Sequence, residues 1–252
     1  MNIRLLSLAS VLCLTTLSGC TSALTKEEIA EASNQCATLY DNGYYTKAYP
    51  ICTKACDNND GVGCLALGLS HQYGNGATQD YGWALDYYLK ACNLNNSSGC
   101  YNFGTLSIQD DFLIKDYQSA HRYLQKACNM NHGAACSNLG KLYHDGQGVK
   151  QDYYQSNNYY QKACNLNDAM GCNNIGTSYI NGEGVKQDEH KGFNFIHKAC
   201  EMGEALACKN EGVAYYHGYG VRPNESKAKY YFGKACDLGN QSGCEQYKIL
   251  NK

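Results

Sequence analysis

The sequence predicts an all-α fold: an α/α solenoid of about six helical hairpins, closed by a C-terminal capping helix and pinned by disulfides. Three observations predict it. The tripeptide Lys-Ala-Cys recurs at Lys54–Cys56, Lys90–Cys92, Lys126–Cys128, Lys162–Cys164, Lys198–Cys200 and Lys234–Cys236, always 36 residues apart. Self-similarity at such a period is the signature of stacked supersecondary units. A second cysteine follows each tripeptide by eight residues, at Cys64, Cys100, Cys136, Cys172, Cys208 and Cys244. Within each unit, apolar or small residues recur at helical spacing, as at Cys172, Ile175, Gly176 and Tyr179.

The unit reads as helix, turn, helix. After the stripe from Cys172, Gly182 and Gly184 punctuate the chain as glycines do after a helix. A second helical segment runs from about Asp152 to Cys164, with Tyr159, Tyr160 and Ala163 on one side. Lys162 falls in its last turn, where a cation meets the negative end of the helix dipole. Asn165 or Asn167 can end it.

Cysteine spacing places the bridges. Residues eight apart on one helix lie about 12 Å apart at 1.5 Å rise per residue, whereas a disulfide needs Cα atoms within about 7 Å. The chain must therefore reverse between the two cysteines, so each bridge joins the end of one helix to the start of the next. This predicts Cys56–Cys64, Cys92–Cys100, Cys128–Cys136, Cys164–Cys172, Cys200–Cys208 and Cys236–Cys244. The first hairpin, about residues 27–57, differs: Cys36 and Cys52 lie sixteen apart and would cross-link its two helices directly, and Pro50 falls in its second helix. An end unit stacks on one side only and needs such treatment. A zinc reading is disfavoured, because structural zinc sites use cysteines two to four residues apart or paired with histidines.

Two columns of small residues predict close helix packing: Gly68, Gly104, Gly140, Gly176 and Gly212 on first helices, and Ala84, Ala120, Ser156, Gly192 and Ala228 on second helices. A mid-helix glycine costs about 1 kcal/mol relative to alanine, so its periodic use suggests a neighbour that leaves no room for a Cβ. The column Tyr87, Tyr123, Tyr159, Phe195 and Tyr231 reads most simply as core between repeats, with a ligand stripe as the alternative.

The first residues carry an address. Residues 1–19 hold one cation, Arg4, then an apolar run from Leu5 to Leu17 that is too short to span a bilayer. The run ends Leu17-Ser18-Gly19-Cys20, which resembles the bacterial lipobox. The resemblance implies removal of residues 1–19, lipidation of Cys20 and a short tether over 20–26, with the solenoid occupying 27–252. Thr21, which is not aspartate, resembles the sorting signal for an outer membrane in enterobacterial-type export. Export also accounts for the cysteines: of 16, Cys13 leaves with the signal and Cys20 takes the lipid, leaving an even set for oxidation.

The pattern G-C-x-N-L-G-x-x-Y, then G-x-G-V, then Y-Y-x-K-A-C resembles Sel1-like repeats, and the Cys-x7-Cys pairs resemble the cysteine-rich subfamily known from Helicobacter. The resemblance covers about residues 27–250. Departures are the sequence QDDFLIK at Gln109–Lys115, which lacks the turn glycines, and Glu211 in place of an apolar residue.

The cysteine-rich subfamily is described as penicillin-binding or β-lactamase-like, which implies a hydrolase. Serine β-lactamases combine Ser-x-x-Lys with Ser-Asp-Asn and Lys-Thr-Gly. Here Ser226-Lys227-Ala228-Lys229 stands without the other two motifs, so no catalytic residue is assigned. The histidines His71, His121, His132, His144, His190, His197 and His217 form no His-Glu-x-x-His pair, so no metal or other cofactor is expected. With 21 Lys plus Arg dispersed along the chain, net charge −2 and pI near 6.4, nothing favours nucleic acid.

The remaining reading is a monomeric binding scaffold for a protein or peptide, or for cell-wall glycan, with membrane contact through the lipid alone. Its ligand-binding column is Asn102, Asn138, Asn174 and Asn210, two residues after the second cysteine of each pair. An amide offers donors and an acceptor to a bound backbone. The column resembles the asparagines with which tetratricopeptide repeats hold peptides. An alternative is a structural ladder between repeats.

Overall fold

The computed structural model describes residues 24–109 and 115–251. The signal, Cys20 and most of the Gln109–Lys115 segment lie outside the described residues.

Among the described residues there are thirteen α-helices and no strand. They pair as α1 (Lys26–Asp41) with α2 (Tyr45–Asp57), α3 (Gly61–Tyr73) with α4 (Tyr81–Asn93), and α5 (Ser97–Leu106) with α6 (Tyr117–Asn129). Then α7 (Gly133–Asp145) pairs with α8 (Tyr153–Asn165), α9 (Ala169–Asn181) with α10 (Glu189–Glu201), and α11 (Ala205–His217) with α12 (Glu225–Asp237). The helix α13 (Gln241–Ile249) packs on α12 as the cap. Each helix touches its sequence neighbours, and first helices also meet across repeats, as α7 does α9. That is the quasi-one-dimensional contact pattern of a solenoid.

The helices begin where a side chain can satisfy their free amides. Asp60, Asp80, Asp116, Asp152, Asp168 and Asp188 each accept from the backbone N–H three residues on, as do Asn96, Asn224 and Asn240. Each such cap is worth about 1 kcal/mol. Thr25 and Glu28 form a reciprocal capping box at the start of α1. At the other end, Leu166 caps α8 and Asn167 follows at φ 60°. Of the two asparagines the sequence offered, Asn167 makes the turn. Asn59, Asn95 and Asn131 repeat the left-handed conformation, which asparagine tolerates better than most residues.

Six bridges join the end of each second helix to the next first helix, from Cys56–Cys64 through Cys236–Cys244, with Cα atoms 4.5–4.7 Å apart. Cys36–Cys52 ties α1 to α2. Pro50 sits in the second turn of α2, and the helix continues past it to Asp57. Lysines add a second link between repeats: Lys126 Nζ donates to the Cys92 carbonyl at 2.9 Å, and Lys198 Nζ to the Cys164 carbonyl at 3.3 Å.

The core column is one residue further along than the sequence pattern indicated. Tyr88, Leu124, Tyr160, Ile196 and Phe232 are buried. They lie over the first-helix glycines: a Cβ built on Gly68, Gly140 or Gly212 would stand 2.5–2.7 Å from the rings of Tyr88, Tyr160 and Phe232. The column Tyr87, Tyr123, Tyr159, Phe195 and Tyr231 is only half-buried. One residue on a helix is about 100° of rotation, which carries a side chain from the crossing face to its flank. On that flank Tyr159 stacks on Tyr143, Phe195 on Tyr179 and Tyr231 on Tyr215.

Glu211 replaces the apolar residue found at Leu67, Leu139 and Ile175 and is fully buried. Burial raises its carboxyl above the usual range, opposed by His197, whose Nδ1 lies 2.8 Å from Oε1. Oε2 has no hydrogen-bond partner.

Candidate functional site

The four asparagines of the sequence column stand on α5, α7, α9 and α11 and are all half-buried. Stacking at a constant period brings each beside the preceding repeat. Asn210 Nδ2 donates to Asn173 Oδ1 at 2.9 Å, and Asn173 Nδ2 faces Asn174 Oδ1 at 3.3 Å. Asn173 is buried, so these bonds satisfy an amide that water cannot reach. Burial raises the Tyr101 phenol, opposed by a hydrogen bond from Asn138; Tyr88 is raised likewise, opposed by Asn102. The column thus makes lateral side-chain contacts along the solenoid as well as facing outward.

Two of the four, Asn174 and Asn210, line a cleft of about 430 Å³ across three successive first helices. Lys141, His144 and Asp145 come from the end of α7, Met170, Asn173, Asn174 and Thr177 from α9, and Leu206 and Asn210 from the start of α11. Asn102 and Asn138 are outside it. Met170 and Leu206, which both border the cleft, are 47% and 41% exposed.

One rim of the cleft is an ion-pair network. Lys141 Nζ lies 2.5 Å from Asp145 Oδ2, His144 Nδ1 lies 2.8 Å from Asp145 Oδ1, and His144 Nε2 lies 3.4 Å from Glu183 Oε2. Burial works to raise the Asp145 carboxyl, but Lys141 and His144 outweigh it and hold the group below the usual carboxylate range. Glu204, which caps α11, adds a carboxylate to the opposite rim. The cleft therefore combines apolar anchors, amides at fixed spacing and a net negative rim. Sequence reasoning missed Asn173, Met170 and Leu206: Met170 and Leu206 share one place in the repeat, but Val62, Ser98 and Ala134 stand there in other copies, and Asn173 stands where others have Leu65, Tyr101 and Ser137.

Ser226 and Lys229 both border a separate cleft between α12 and α13, with Tyr247 on its far wall. Ser226 is exposed on the first turn of α12. No group of three or more His, Cys, Asp or Glu arranged to hold a metal occurs among the described residues. No described helix is long and apolar enough to cross a membrane.

A family model for the Sel1 repeat matches residues 61–96, 98–132, 133–168, 169–204 and 205–240. The solved Sel1 repeat protein from Oxalobacter formigenes is similar in fold, with a TM-score of 0.80 at 23% identity over 88% of each chain. Helicobacter pylori cysteine rich protein B is 37% identical, with 52% of this chain and 93% of that chain covered, at a TM-score of 0.43. An immunity protein from Pseudomonas aeruginosa has a TM-score of 0.56 at 18% identity, covering 86% of this chain and 84% of its own. Comparison with curated proteins finds no match. The repeats, their spacing and their paired cysteines all say the same thing: the chain belongs to the Sel1 repeat family.

Proposed function

We propose that this Sel1-repeat scaffold is a cell-envelope lipoprotein that captures a protein or peptide in the cleft formed by α7, α9 and α11. The observation that carries the reading is the pairing of exposed Met170 and Leu206 with the amides of Asn174 and Asn210 in one groove. Apolar anchors supply affinity and amides hold a bound backbone in register.

The two asparagines separate binding from structure. Asn210→Ala leaves the buried Asn173 oxygen without its donor and should cost about 1–3 kcal/mol of stability. Asn174→Ala removes only the longer 3.3 Å acceptor of Asn173 Nδ2, so it should cost less stability than Asn210→Ala and weaken partner capture more. The measurement is chemical cross-linking of the delipidated chain in envelope extract, with the captured partner identified and then titrated in pure form. Unimpaired capture by Asn174→Ala, combined with a large loss of stability, would remove the cleft from consideration.

The anchor rests on the Leu17–Cys20 motif and on α1 starting at Lys26, which leaves a short tether. Cys20→Ser should move the protein from the membrane fraction to the soluble fraction with its melting transition intact. Retention in membranes after a salt wash would sink lipidation as the anchor. The second reading, a β-lactam hydrolase, asks Ser226 to act as nucleophile from a solvent-exposed first turn. Lys229 borders the same cleft, but the Ser-Asp-Asn and Lys-Thr-Gly motifs that accompany Ser-x-x-Lys in such hydrolases do not occur in the sequence.

A further inference from the structure

The solenoid builds one aromatic shelf repeatedly. Seven residues after the second cysteine stand His71, Ser107, Tyr143, Tyr179 and Tyr215 in successive repeats. Early in the following helix stand Trp83, Ser119, Gln155, Lys191 and Lys227. In two copies the chain covers the shelf with its own ammonium. Lys191 Nζ lies 4.2 Å from the Tyr179 ring centre and 2.7 Å from its hydroxyl, while Lys227 Nζ lies 4.9 Å from the Tyr215 ring centre. The same two tyrosines are backed by Phe195 and Tyr231, whose rings stack on them at 5.9 and 5.5 Å.

The first copy keeps the shelf and lacks the cation. His71 stacks on Tyr87 at 5.6 Å with the rings 11° apart, and Tyr49 closes one edge at 5.9 Å. In place of the lysine stands Trp83, 56% exposed, stacked at 6.3 Å on His71 and 6.0 Å from Tyr87. His71 Nδ1 donates to the Thr78 carbonyl at 3.1 Å, and Nε2 lies 3.1 Å from the Tyr49 hydroxyl. The rings open onto a cleft of about 380 Å³ bordered by Tyr49, His71, Thr78, Asp80 and Trp83, with no lysine or arginine in its lining. Asp80 adds a carboxylate at the start of α4.

We propose that this cleft binds an organic ammonium group, taking from outside the cation that Lys191 and Lys227 supply in the later repeats. Cations are drawn to the negative faces of aromatic rings, indole most strongly, and aromatic cages use this to hold quaternary ammonium. The site is distinct from the cleft on α7, α9 and α11. The ammonium we assign is quaternary, of the choline type that aromatic cages hold.

Trp83 is the single tryptophan, so indole fluorescence of the oxidised full chain, excited beyond the tyrosine absorption, reads this cleft alone. Titration with choline chloride should change it saturably, whereas sodium chloride at equal ionic strength and the neutral isostere with carbon in place of nitrogen should not. Nα-acetyl-lysine amide, whose side-chain ammonium is primary, forms the second arm and should bind more weakly than choline; tighter binding would overturn the assignment of a quaternary ammonium. Trp83→Lys restores a resident ammonium and should weaken choline at least tenfold by calorimetry without lowering the melting temperature. Trp83→Phe keeps a ring and should retain binding. The proposal is overturned if the isostere binds as well as choline, if Trp83→Lys binds like the parent, or if neither cation gives a saturable change.

Discussion

Reduction of the folded chain with excess dithiothreitol is expected to abolish its cooperative thermal transition and most of its helical circular dichroism at room temperature. Each bridge from Cys56–Cys64 to Cys236–Cys244 spans eight residues. Closing so short a loop is worth about 2–3 kcal/mol by the chain-entropy model. Summed over these six bridges, that equals or exceeds the whole of the roughly 5–15 kcal/mol by which domains are stable. The bridges also stand where the solenoid would otherwise come apart, at the turn between each second helix and the next first helix. Their sulfurs lie in the core, since all the paired cysteines but Cys236 and Cys244 carry no more than 1% exposure among the buried apolar residues. A narrower version replaces one pair, Cys164→Ser with Cys172→Ser, and should lower unfolding free energy by about 2–3 kcal/mol in urea. If the reduced chain melts within a few degrees of the oxidised one, the bridges are not what holds the repeats together.

Gly176→Ala should destabilise the chain by about 2–3 kcal/mol, although alanine is the better helix former by about 1 kcal/mol. A Cβ at Gly176 would lie 2.8 Å from the Gly192 carbonyl oxygen and 3.1 Å from the Ile196 nitrogen. These are backbone atoms of α10, so the helices must separate; no side chain can turn aside. Gly192→Ala meets the reciprocal obstacle, 2.6 Å from the Gly176 carbonyl oxygen. At the corresponding places Ala84, Ala120 and Ala228 are buried without difficulty, so α9 and α10 cross more closely than the other hairpins. For a domain of this size the loss corresponds to a fall of about 5–10 °C in melting temperature. Unchanged melting of both variants would show that the two helices can part freely.

Much of this was legible because a repeat states the same constraint many times over. The Lys-Ala-Cys period and the eight-residue cysteine spacing determine hairpins, turns and bridges before any coordinate is known, since the reach of a disulfide forces the chain to reverse. The glycine column Gly68 to Gly212 likewise announces close crossing, because glycine inside a helix is costly unless space demands it. Period alone could not choose between neighbouring columns. Tyr87 and Tyr88, or Tyr159 and Tyr160, are equally aromatic, and only the rotation of the packed helix decides that Tyr88 and Tyr160 fill the core. Nor could it place Asn173, which is buried through its bond to Asn210 in the next repeat.

The sequence by itself determined the solenoid, its register and its cysteine pairs, for these follow from local periodicity and the limits of covalent reach. Tertiary structure alone decided what the surface offers. Met170 and Leu206 belong to different repeats and border one cleft only once α9 and α11 are stacked. Trp83, His71 and Tyr49 come from three helices and become one shelf only when α2, α3 and α4 pack. A site made by stacking depends on distances between repeats, and such distances are set by side-chain volume and helix crossing, which no single copy of the repeat contains.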